Sequence, residues 1–249
     1  MIRVSIVGAR GRMGSTVVDA VGRAGDMTLS QSVDAGGDLA SITADNTDVA
    51  VEFTVPSASR KNVLGLIKSG VNVVVGTTGW DEDGLDAVRG ALGSSDHTGQ
   101  SVVIAPNYAL SAVLMERFAA QAARYFESAE IVEMHHPDKV DAPSGTALHT
   151  AHVVAQARAD AGLGPMPDAT TGQAESRGQV IDGVHVHAVR LRGLNAHEEV
   201  LLGNQGEQLM LRADSFDRSS FMPGVLMAVR SAASGNRPGL TVGLGALLD

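Results

Sequence analysis

Three glycines near the start of the chain constrain its fold more than any other feature. Gly8, Gly11 and Gly14 lie between a strand-like apolar run at 3–7 and a segment at 13–24 whose apolar residues recur at helical spacing. A strand, a tight glycine turn and a helix in this order open the βαβ unit of nucleotide-binding sheets. The sequence therefore predicts that the chain begins as a parallel α/β domain.

The alternation of strands and helices continues to about residue 105. Further strands are predicted at 29–33, 49–54, 71–75 and 101–105, and further helices at 56–68 and 81–92. Because strands that alternate with helices pair in parallel, this part is predicted to be a Rossmann-type parallel sheet domain with helices on both faces.

The pattern changes after residue 107. Helices are predicted at 111–125, 144–161 and 219–233, strands at 131–135, 184–191, 198–202 and 208–213, a mobile loop at 162–178 and a short tail at 239–248. These runs predict a smaller α+β domain with an open mixed β-sheet. We expect a dinucleotide-binding domain at 1–107, completed by 216–249 through the returning last helix, and a substrate-binding domain at 108–215.

Composition excludes several classes of function. The chain has no cysteine, which excludes disulfides, thiolate chemistry, Cys-ligated zinc and iron–sulfur clusters. A formal net charge of -9 disfavours binding to nucleic acid. No apolar run approaches the roughly 20 residues that span a bilayer, and the start of the chain lacks a signal-peptide pattern. We therefore expect a cytoplasmic protein with no membrane contact.

The glycine loop also predicts a cofactor. Two glycines allow the backbone to approach a pyrophosphate, the third lets the helix pack on the strand, and the helix N-terminus supplies N–H groups. The loop residues expected to bind the dinucleotide are Gly8, Ala9, Arg10, Gly11, Arg12 and Met13. Asp34 ends the second strand, where an acid accepts hydrogen bonds from the adenosine ribose. Asp34 disfavours a 2′-phosphate and the two arginines can offset this, so use of both NADH and NADPH is expected.

Two further loops follow predicted parallel strands, at the edge where open α/β sheets bind ligands. Their small and hydroxyl-bearing residues suit contact with the nicotinamide ribose and carboxamide, and ordinary turn chemistry is the alternative. The residues assigned to the cofactor on this basis are Gly76, Thr77, Thr78, Ala105, Pro106, Asn107 and Tyr108.

A polar segment between a predicted strand and a predicted helix carries the chemistry. His135, His136 and Lys139 lie within five residues, and Ser144 is suited to cap the helix that begins with Gly145. Histidine exchanges protons near neutral pH, and a helix N-terminus binds carboxylate or phosphate. The segment predicts an anionic substrate that receives hydride at one carbon and a proton at its neighbour. A solvated loop before a capped helix is the alternative.

Histidines also raise the possibility of a metal. No third ligand accompanies the His135–His136 pair at a compatible spacing, so no metal is expected there. His149 and His152 lie one helical turn apart, and His185 and His187 share one strand face. Either pair could bind a metal, although a structural or exposed role is the simpler interpretation.

The polar segment resembles a known enzyme family. Residues 133–147, Glu-x-His-His-x-x-Lys-x-Asp-Ala-Pro-Ser-Gly-Thr-Ala, closely resemble the 4-hydroxy-tetrahydrodipicolinate reductases, formerly dihydrodipicolinate reductases. The loops at 8–14, 76–79 and 105–108 resemble the same family in the same order. The resemblance implies NAD(P)H-dependent reduction of a cyclic hydroxy-dicarboxylate to tetrahydrodipicolinate, with loss of water, in the diaminopimelate route to lysine. It also implies a homotetramer built through the sheet of the second domain.

The resemblance further implies roles for individual residues. The position of His135 is that of a proton donor and acceptor, and the position of Lys139 is that of a proton donor. Substrate carboxylates are bound at the positions of His136, Gly145 and Thr146.

One departure from the family bears on the cofactor. Some members carry an arginine directly after the acid of the second strand, where it binds the 2′-phosphate of NADPH, and this chain has Ala35 there. A strict NADPH preference is therefore not expected. Two rival functions are a related dehydrogenase of an amino acid or its semialdehyde, and a redox sensor that binds nucleotide without turnover. The first leaves the pattern from Lys139 to Thr146 unexplained, and the second usually loses His135 or Lys139.

Overall fold

The computed structural model describes residues 1–172 and 174–248, and divides the chain into two compact units. The first unit comprises Met1–Leu110 and the residues from Arg218 onward, and the second comprises Ser111–Asp217. Gln173, in the predicted loop, and Asp249, at the end of the predicted first domain, lie outside the described residues.

The helices and strands follow in this order. The strands are β1 (Ile2–Val7), β2 (Met27–Val33), β3 (Val49–Glu52), β4 (Asn72–Val75), β5 (Ser101–Ile104), β6 (Ser128–His135), β7 (Gln179–Ile181), β8 (Val184–Arg190), β9 (Ala196–Asn204), β10 (Glu207–Ser215) and β11 (Gly239–Val242). The α-helices are α1 (Arg12–Arg23), α2 (Pro56–Lys68), α3 (Glu82–Gly93), α4 (Leu110–Ala123), α5 (Gly145–Asp160) and α6 (Met222–Ser234).

The first unit contains a six-stranded sheet in the order β11-β5-β4-β3-β1-β2, and all neighbouring strands are parallel. This confirms the Rossmann-type fold. Strands β3 and β5 are buried along their whole length, as expected for strands covered on both faces. The residues that were assigned to the cofactor therefore follow the carboxyl ends of β1, β2, β4 and β5.

The end of the chain differs from its prediction. The sequence predicted a short tail at 239–248, but β11 pairs in parallel with β5, with Leu240 opposite Val102. Only four residues form this strand, too few for a period-2 pattern to be recognised. It therefore extends the sheet by one edge strand, which the local sequence did not indicate.

The second unit contains a five-stranded sheet in the order β10-β9-β6-β8-β7. The β6–β8 pair is parallel and the other pairs are antiparallel, which confirms the open mixed sheet. Its core joins buried residues of the sheet, such as Ile131 and Val200, to small residues of α4 and α5, such as Ala119 and Ala151. The sequence did not predict β7, a three-residue strand at the edge of the sheet.

Two helical glycines make a matched test of close packing. An added Cβ at Gly224, in α6, would lie 2.1 Å from the carbonyl oxygen of Tyr108, whereas nothing lies within 4 Å of a Cβ added at Gly22, in α1. We expect Gly224→Ala to lower the free energy of unfolding by about 2 kcal/mol or more, because the backbone must shift. Gly22→Ala should instead raise it by up to about 1 kcal/mol through helix propensity. Urea unfolding measures both, and equal effects would contradict the packing argument.

Candidate active site

The glycine loop of the first unit is built so that only glycine fits at its two ends. Gly8 has φ +87°, and an added Cβ would lie 2.2 Å from the carbonyl oxygen of Phe53. An added Cβ at Gly14 would lie 1.9 Å from the carbonyl oxygen of Gly8. Gly11 is the N-cap residue of α1, and because glycine has no side chain, it accepts no hydrogen bond from the N–H groups of the first turn. The helix therefore offers its first N–H groups to a ligand, and these residues fit a pyrophosphate.

Asp34 lies beside this loop. Its Oδ1 accepts the backbone N–H of Arg10 at 2.8 Å, and its Oδ2 lies 3.7 Å from the Nε of that arginine. The Arg10 side chain is 92% exposed, Arg12 is also exposed, Met13 is half-buried and Ala9 is buried. An exposed guanidinium therefore stands next to the acid that was assigned to the ribose.

The loop after β4 mixes fold contacts with exposed positions. An added Cβ at Gly76 would overlap the ring of Phe53, which explains the glycine. Thr77 is buried, and its Oγ1 accepts the backbone N–H of Thr54 at 2.8 Å. Thr78 is exposed. A contact between Thr77 and the cofactor would therefore use its backbone, whereas the Thr78 side chain is accessible to a ligand.

The loop at 105–108, after β5, is similarly divided. Tyr108 is buried and donates its hydroxyl to the carbonyl oxygen of Val75 at 2.8 Å, and burial raises the pKa of that hydroxyl. The Oδ1 of Asn107 accepts a backbone N–H two residues further on at 2.9 Å. Ala105 is buried and Pro106 is exposed. The Tyr108 ring thus serves the fold, and only its backbone remains for a cofactor.

In the second unit, the carboxylate of Glu133 joins several parts of the predicted catalytic segment. Glu133 lies on β6 and has no exposed surface. It accepts hydrogen bonds from Nη1 and Nη2 of Arg190, both at 2.8 Å, and from the backbone N–H of Ser144 at 3.1 Å. The Nδ1 of His135 lies 2.6 Å from its Oε2. We call Glu133, His135, Ser144 and Arg190 the Glu133 cluster.

The cluster fixes the charge on the carboxylate. Burial alone would raise the pKa of Glu133, but the hydrogen bonds from Arg190 and His135 outweigh it, and the pKa lies below its usual value. An ionised carboxylate can only accept hydrogen bonds, so the Nδ1 of His135 must donate.

The surroundings of His135 also determine the protonation state of its other nitrogen, Nε2. Burial lowers its pKa, with the cations of Lys139 and Arg190 acting in the same direction and Glu133 opposing them. The imidazole is therefore neutral near pH 7, and Nε2 is left as an acceptor. This is the protonation state that a general base requires.

Lys139 is held in the loop that follows His135. Its Nζ donates to the two carboxylate oxygens of Asp141 at 2.8 and 2.9 Å, and this hydrogen bond lowers the pKa of Asp141. The carbonyl oxygen of Asp141 accepts Nη2 of Arg190 at 2.7 Å. The structure therefore brings His135 and Lys139 into one charged neighbourhood, and it places His136, half-buried, between them in the chain.

The start of α5 already holds a carboxylate. Ser144 caps the helix by accepting the N–H of Ala147 at 3.1 Å, as the sequence predicted. The backbone N–H of Gly145 is near enough to the Asp141 carboxylate to help lower its pKa, although Lys139 has the larger effect. Thr146 follows in the first turn and is half-buried. The carboxylate of Glu133, which accepts the N–H of the cap residue Ser144 at 3.1 Å, shows that this helix start accommodates an anionic oxygen.

Sequence reasoning did not assign roles to Glu133, Arg190 or Glu198. Glu133 lies in the family-like segment, and the alternation of β6 could have flagged it as a charge on a buried face. Arg190 comes from the end of β8, so only strand pairing reveals its proximity. Glu198 lies opposite Glu133 on β9 and is only 5% exposed, and its Oε1 has no hydrogen-bond partner among the residues that the structure describes. Burial raises the pKa of Glu198 to about 7.

The four histidines considered as metal ligands each contact a carboxylate. The pairs are His149 with Glu116, His152 with Asp182, His185 with Asp168 and His187 with Glu130. Within the described ranges, no group of three or more His, Cys, Asp or Glu is arranged to hold a metal ion. In the same part of the chain, no helix has both the length and the apolarity that crossing a membrane requires.

Comparison with known proteins decides the family. The pattern described as "Dihydrodipicolinate reductase, N-terminus" matches residues 2–108, and "Dihydrodipicolinate reductase, C-terminus" matches residues 111–248. The chain belongs to the dihydrodipicolinate reductase family. It is therefore an oxidoreductase that depends on a pyridine nucleotide.

Individual relatives agree over their full length. The 4-hydroxy-tetrahydrodipicolinate reductase of Bifidobacterium animalis subsp. lactis is 68% identical over 252 residues and covers 100% of both chains. That of Bifidobacterium longum subsp. infantis is 64% identical over 251 residues with the same coverage. Among solved structures, the dipicolinate-bound dihydrodipicolinate reductase of Paenisporosarcina sp. TG-14 matches with a TM-score of 0.87 and 32% identity, over 99% of each chain.

The buried acid Glu198 generates a prediction about stability. Because its pKa rises from 4.5 to about 7 in the fold, the protein loses stability as the pH increases through this range. The loss should amount to roughly 1–3 kcal/mol. Glu198→Gln removes the ionisation. The free energy of unfolding of this variant minus that of the parent should therefore increase between pH 5 and pH 8.

Urea unfolding at several pH values checks this prediction. Glu207→Gln, at an exposed position of the neighbouring strand β10, is the matched control. A difference between the Glu198→Gln variant and the parent that stays constant over the whole range would show that the acid does not titrate as described.

Proposed function

We propose that this chain reduces 4-hydroxy-2,3,4,5-tetrahydrodipicolinate to 2,3,4,5-tetrahydrodipicolinate, with loss of water, in the diaminopimelate route to lysine. The observation that carries the proposal is the Glu133 cluster. It brings together neutral His135, the loop that carries Lys139 and the start of α5, which accommodates a carboxylate oxygen. The names of the full-length relatives and the dipicolinate bound by the solved relative support the same substrate class.

The first unit supplies the cofactor site in this proposal. The backbone of the glycine loop and the N-terminus of α1 hold the pyrophosphate, and Asp34 accepts the adenosine ribose hydroxyls. The loops at 76–79 and 105–108 bound the nicotinamide end. When bound, NADH or NADPH supplies the hydride that reduces C4 of the dehydrated ring.

The second unit supplies the substrate site. The substrate carries two carboxylates, and the N–H groups at the start of α5 bind one of them, with Gly145 and Thr146 contributing. His136 and the Lys139 ammonium add positive or hydrogen-bonding groups for the anion. A substrate carboxylate bound near Gly145 competes with the Asp141 side chain for the Lys139 ammonium.

Two residues manage the protons. Hydride delivered at C4 must be matched by one proton at the adjacent carbon, and the departing hydroxyl leaves as water. Neutral His135 accepts and returns a proton through Nε2, and Lys139 donates one from Nζ. The overall reaction consumes one hydride and one proton and releases one water.

The surroundings of Asp34 support use of both cofactors. The carboxylate favours the ribose hydroxyls of NADH, whereas the exposed Arg10 and Arg12 offer charge to the 2′-phosphate of NADPH. Ala35, directly after the acid, adds no charge and is exposed. The negative charge of Asp34 and the positive charges of the two arginines act in opposite directions on a 2′-phosphate, so neither cofactor is excluded.

We also propose a homotetramer and a cytoplasmic location, where the reduced cofactor and the preceding synthase product are available. One face of the five-stranded sheet leaves apolar side chains exposed, including Val189 on β8 and Met210 on β10. Pairing such faces between copies would bury them. The domain roles follow from this division: the first unit binds the cofactor, and the second binds substrate and forms the assembly.

The central test is oxidation of NADH and of NADPH, measured in parallel and coupled to the synthase that makes the substrate. Both cofactors should support turnover. Lys139→Ala should lower kcat by about 10²- to 10⁴-fold, because a proton donor is lost. Lys61→Ala, on the exposed face of α2, is the control and should retain full activity. Absence of turnover with either cofactor would refute the assignment, and near-normal rates for Lys139→Ala would remove this residue from the mechanism.

A second test addresses the cofactor site. Ala35→Arg adds a guanidinium at an exposed position beside Asp34, so it should lower KM for NADPH by about 3- to 10-fold and leave KM for NADH little changed. Steady-state kinetics with each cofactor measure the ratio. An equal change for both cofactors would mean that the residue after the acid does not face the 2′-position.

A further inference from the structure

The Glu133 cluster has a feature that the proposed reaction does not use: its carboxylate binds groups from three separate segments. His135 belongs to the end of β6, Ser144 precedes α5, and Arg190 ends β8. Arg190 additionally binds the carbonyl oxygen of Asp141, inside the loop that carries Lys139. The proposed proton-transfer histidine, the cap of α5 and the loop that carries Lys139 are therefore all attached to this one carboxylate or to its guanidinium partner.

We propose that Glu133 and Arg190 are positioning residues for the reaction, which hold His135 in one tautomer and fix the Lys139 loop against the start of α5. The inference rests on the proposed function, because it takes His135 and Lys139 as the proton-transfer groups. Neither Glu133 nor Arg190 contacts the substrate in this role.

Burial argues against a direct role for Glu133. The carboxylate has no exposed surface, and each of its two oxygens already accepts two hydrogen bonds. Losing one of these partners would leave a buried charge with an unsatisfied oxygen, which costs free energy. The carboxylate therefore holds Arg190, His135 and Ser144 together.

Arg190 is similarly committed. Its Nη1 and Nη2 form a two-pronged contact with Glu133, and the same Nη2 reaches the backbone of Asp141. A guanidinium that bound a substrate carboxylate would have to leave these acceptors. The geometry therefore assigns it to the scaffold of the site, and the same contact explains how β8 controls the position of a loop that begins at the end of β6.

The two residues act on His135 with opposite charges, which makes the proposal testable. The charged groups that influence His135 are Glu133, Lys139 and Arg190. Glu133→Gln removes the anion that favours the imidazolium, so the pKa of His135 should fall. Arg190→Gln removes a cation that disfavours it, so the pKa should rise. The tautomer of His135 is the second measurement, because a nearby charge alone shifts the pKa of the ring but does not hold its proton on Nδ1.

The chain offers a matched control three residues away. Glu130 lies on the same strand but on the opposite face, and it also binds one arginine and one histidine, Arg177 and His187. Glu130→Gln removes an equivalent carboxylate without touching the cluster. It should leave the tautomer and the titration of His135 unchanged, and because Glu130 lies on the sheet face proposed to pair in the assembly, the molecular mass of the variant is measured alongside.

The experiment combines NMR of the histidine ring nitrogens in the full-length protein with steady-state kinetics over pH. The His135 signal is identified by its loss in His135→Gln. In the parent, Nδ1 should carry the proton. Glu133→Gln should lose this preference, lower the pKa of His135 and reduce kcat about 10- to 100-fold with KM for NADH unchanged. Glu133→Asp, which keeps the charge, should recover part of kcat, and it replaces Glu133→Gln if that variant does not fold.

The outcomes separate the two proposals. Unchanged His135 tautomer and titration in both Glu133→Gln and Arg190→Gln, or shifts of the same sign, would overturn the positioning role whatever the activity. If His135→Gln itself keeps full turnover, the proposed function of His135 is wrong, and the NMR result then decides only whether the cluster fixes the ring.

Discussion

The second unit depends on keeping an ionised carboxylate in its interior. Removing a carboxylate from water costs several kcal/mol unless it is paired and fully hydrogen-bonded, and Glu133 meets this requirement only when Arg190, His135 and the Ser144 N–H are all present. The end of β6, the cap of α5 and the end of β8, which is 57 residues further along the chain than Glu133, must therefore come together at once. The same requirement that satisfies the charge also orders the groups proposed to carry out the chemistry.

A second acid makes the arrangement more specific. Glu198 faces Glu133 across the β6–β9 pair, and two adjacent buried carboxylates do not readily ionise together. The hydrogen bonds of the cluster keep the charge on Glu133, whereas Glu198, whose pKa is raised to about 7, stays protonated until the pH approaches neutrality. The different surroundings of two identical side chains thus decide which one can bind a cation and orient a histidine.

The first unit solves a different problem with backbone rather than charge. Close approach of the Gly8 carbonyl to Gly14 brings the start of α1 onto the loop, and an uncapped first turn then faces outward. In an otherwise acidic protein, this arrangement of N–H groups and exposed arginines suits the anionic dinucleotide that we propose to bind there. Membership of the dihydrodipicolinate reductase family joins the two units into one reductase.

The sequence by itself determined the fold class, the predicted helices and the longer strands to within three residues at each end, and the family. It could do so because hydrophobic period, helix caps such as Ser144 and the glycine turn are local. The sequence also indicated His135 and Lys139 as candidates for proton transfer, because both lie in one short polar segment. Only the tertiary structure decided that β11 joins the first sheet, that the Tyr108 hydroxyl serves the fold, and that Arg190 neutralises Glu133. These outcomes depend on strand pairing and burial between residues far apart in the chain, and no local pattern encodes such contacts.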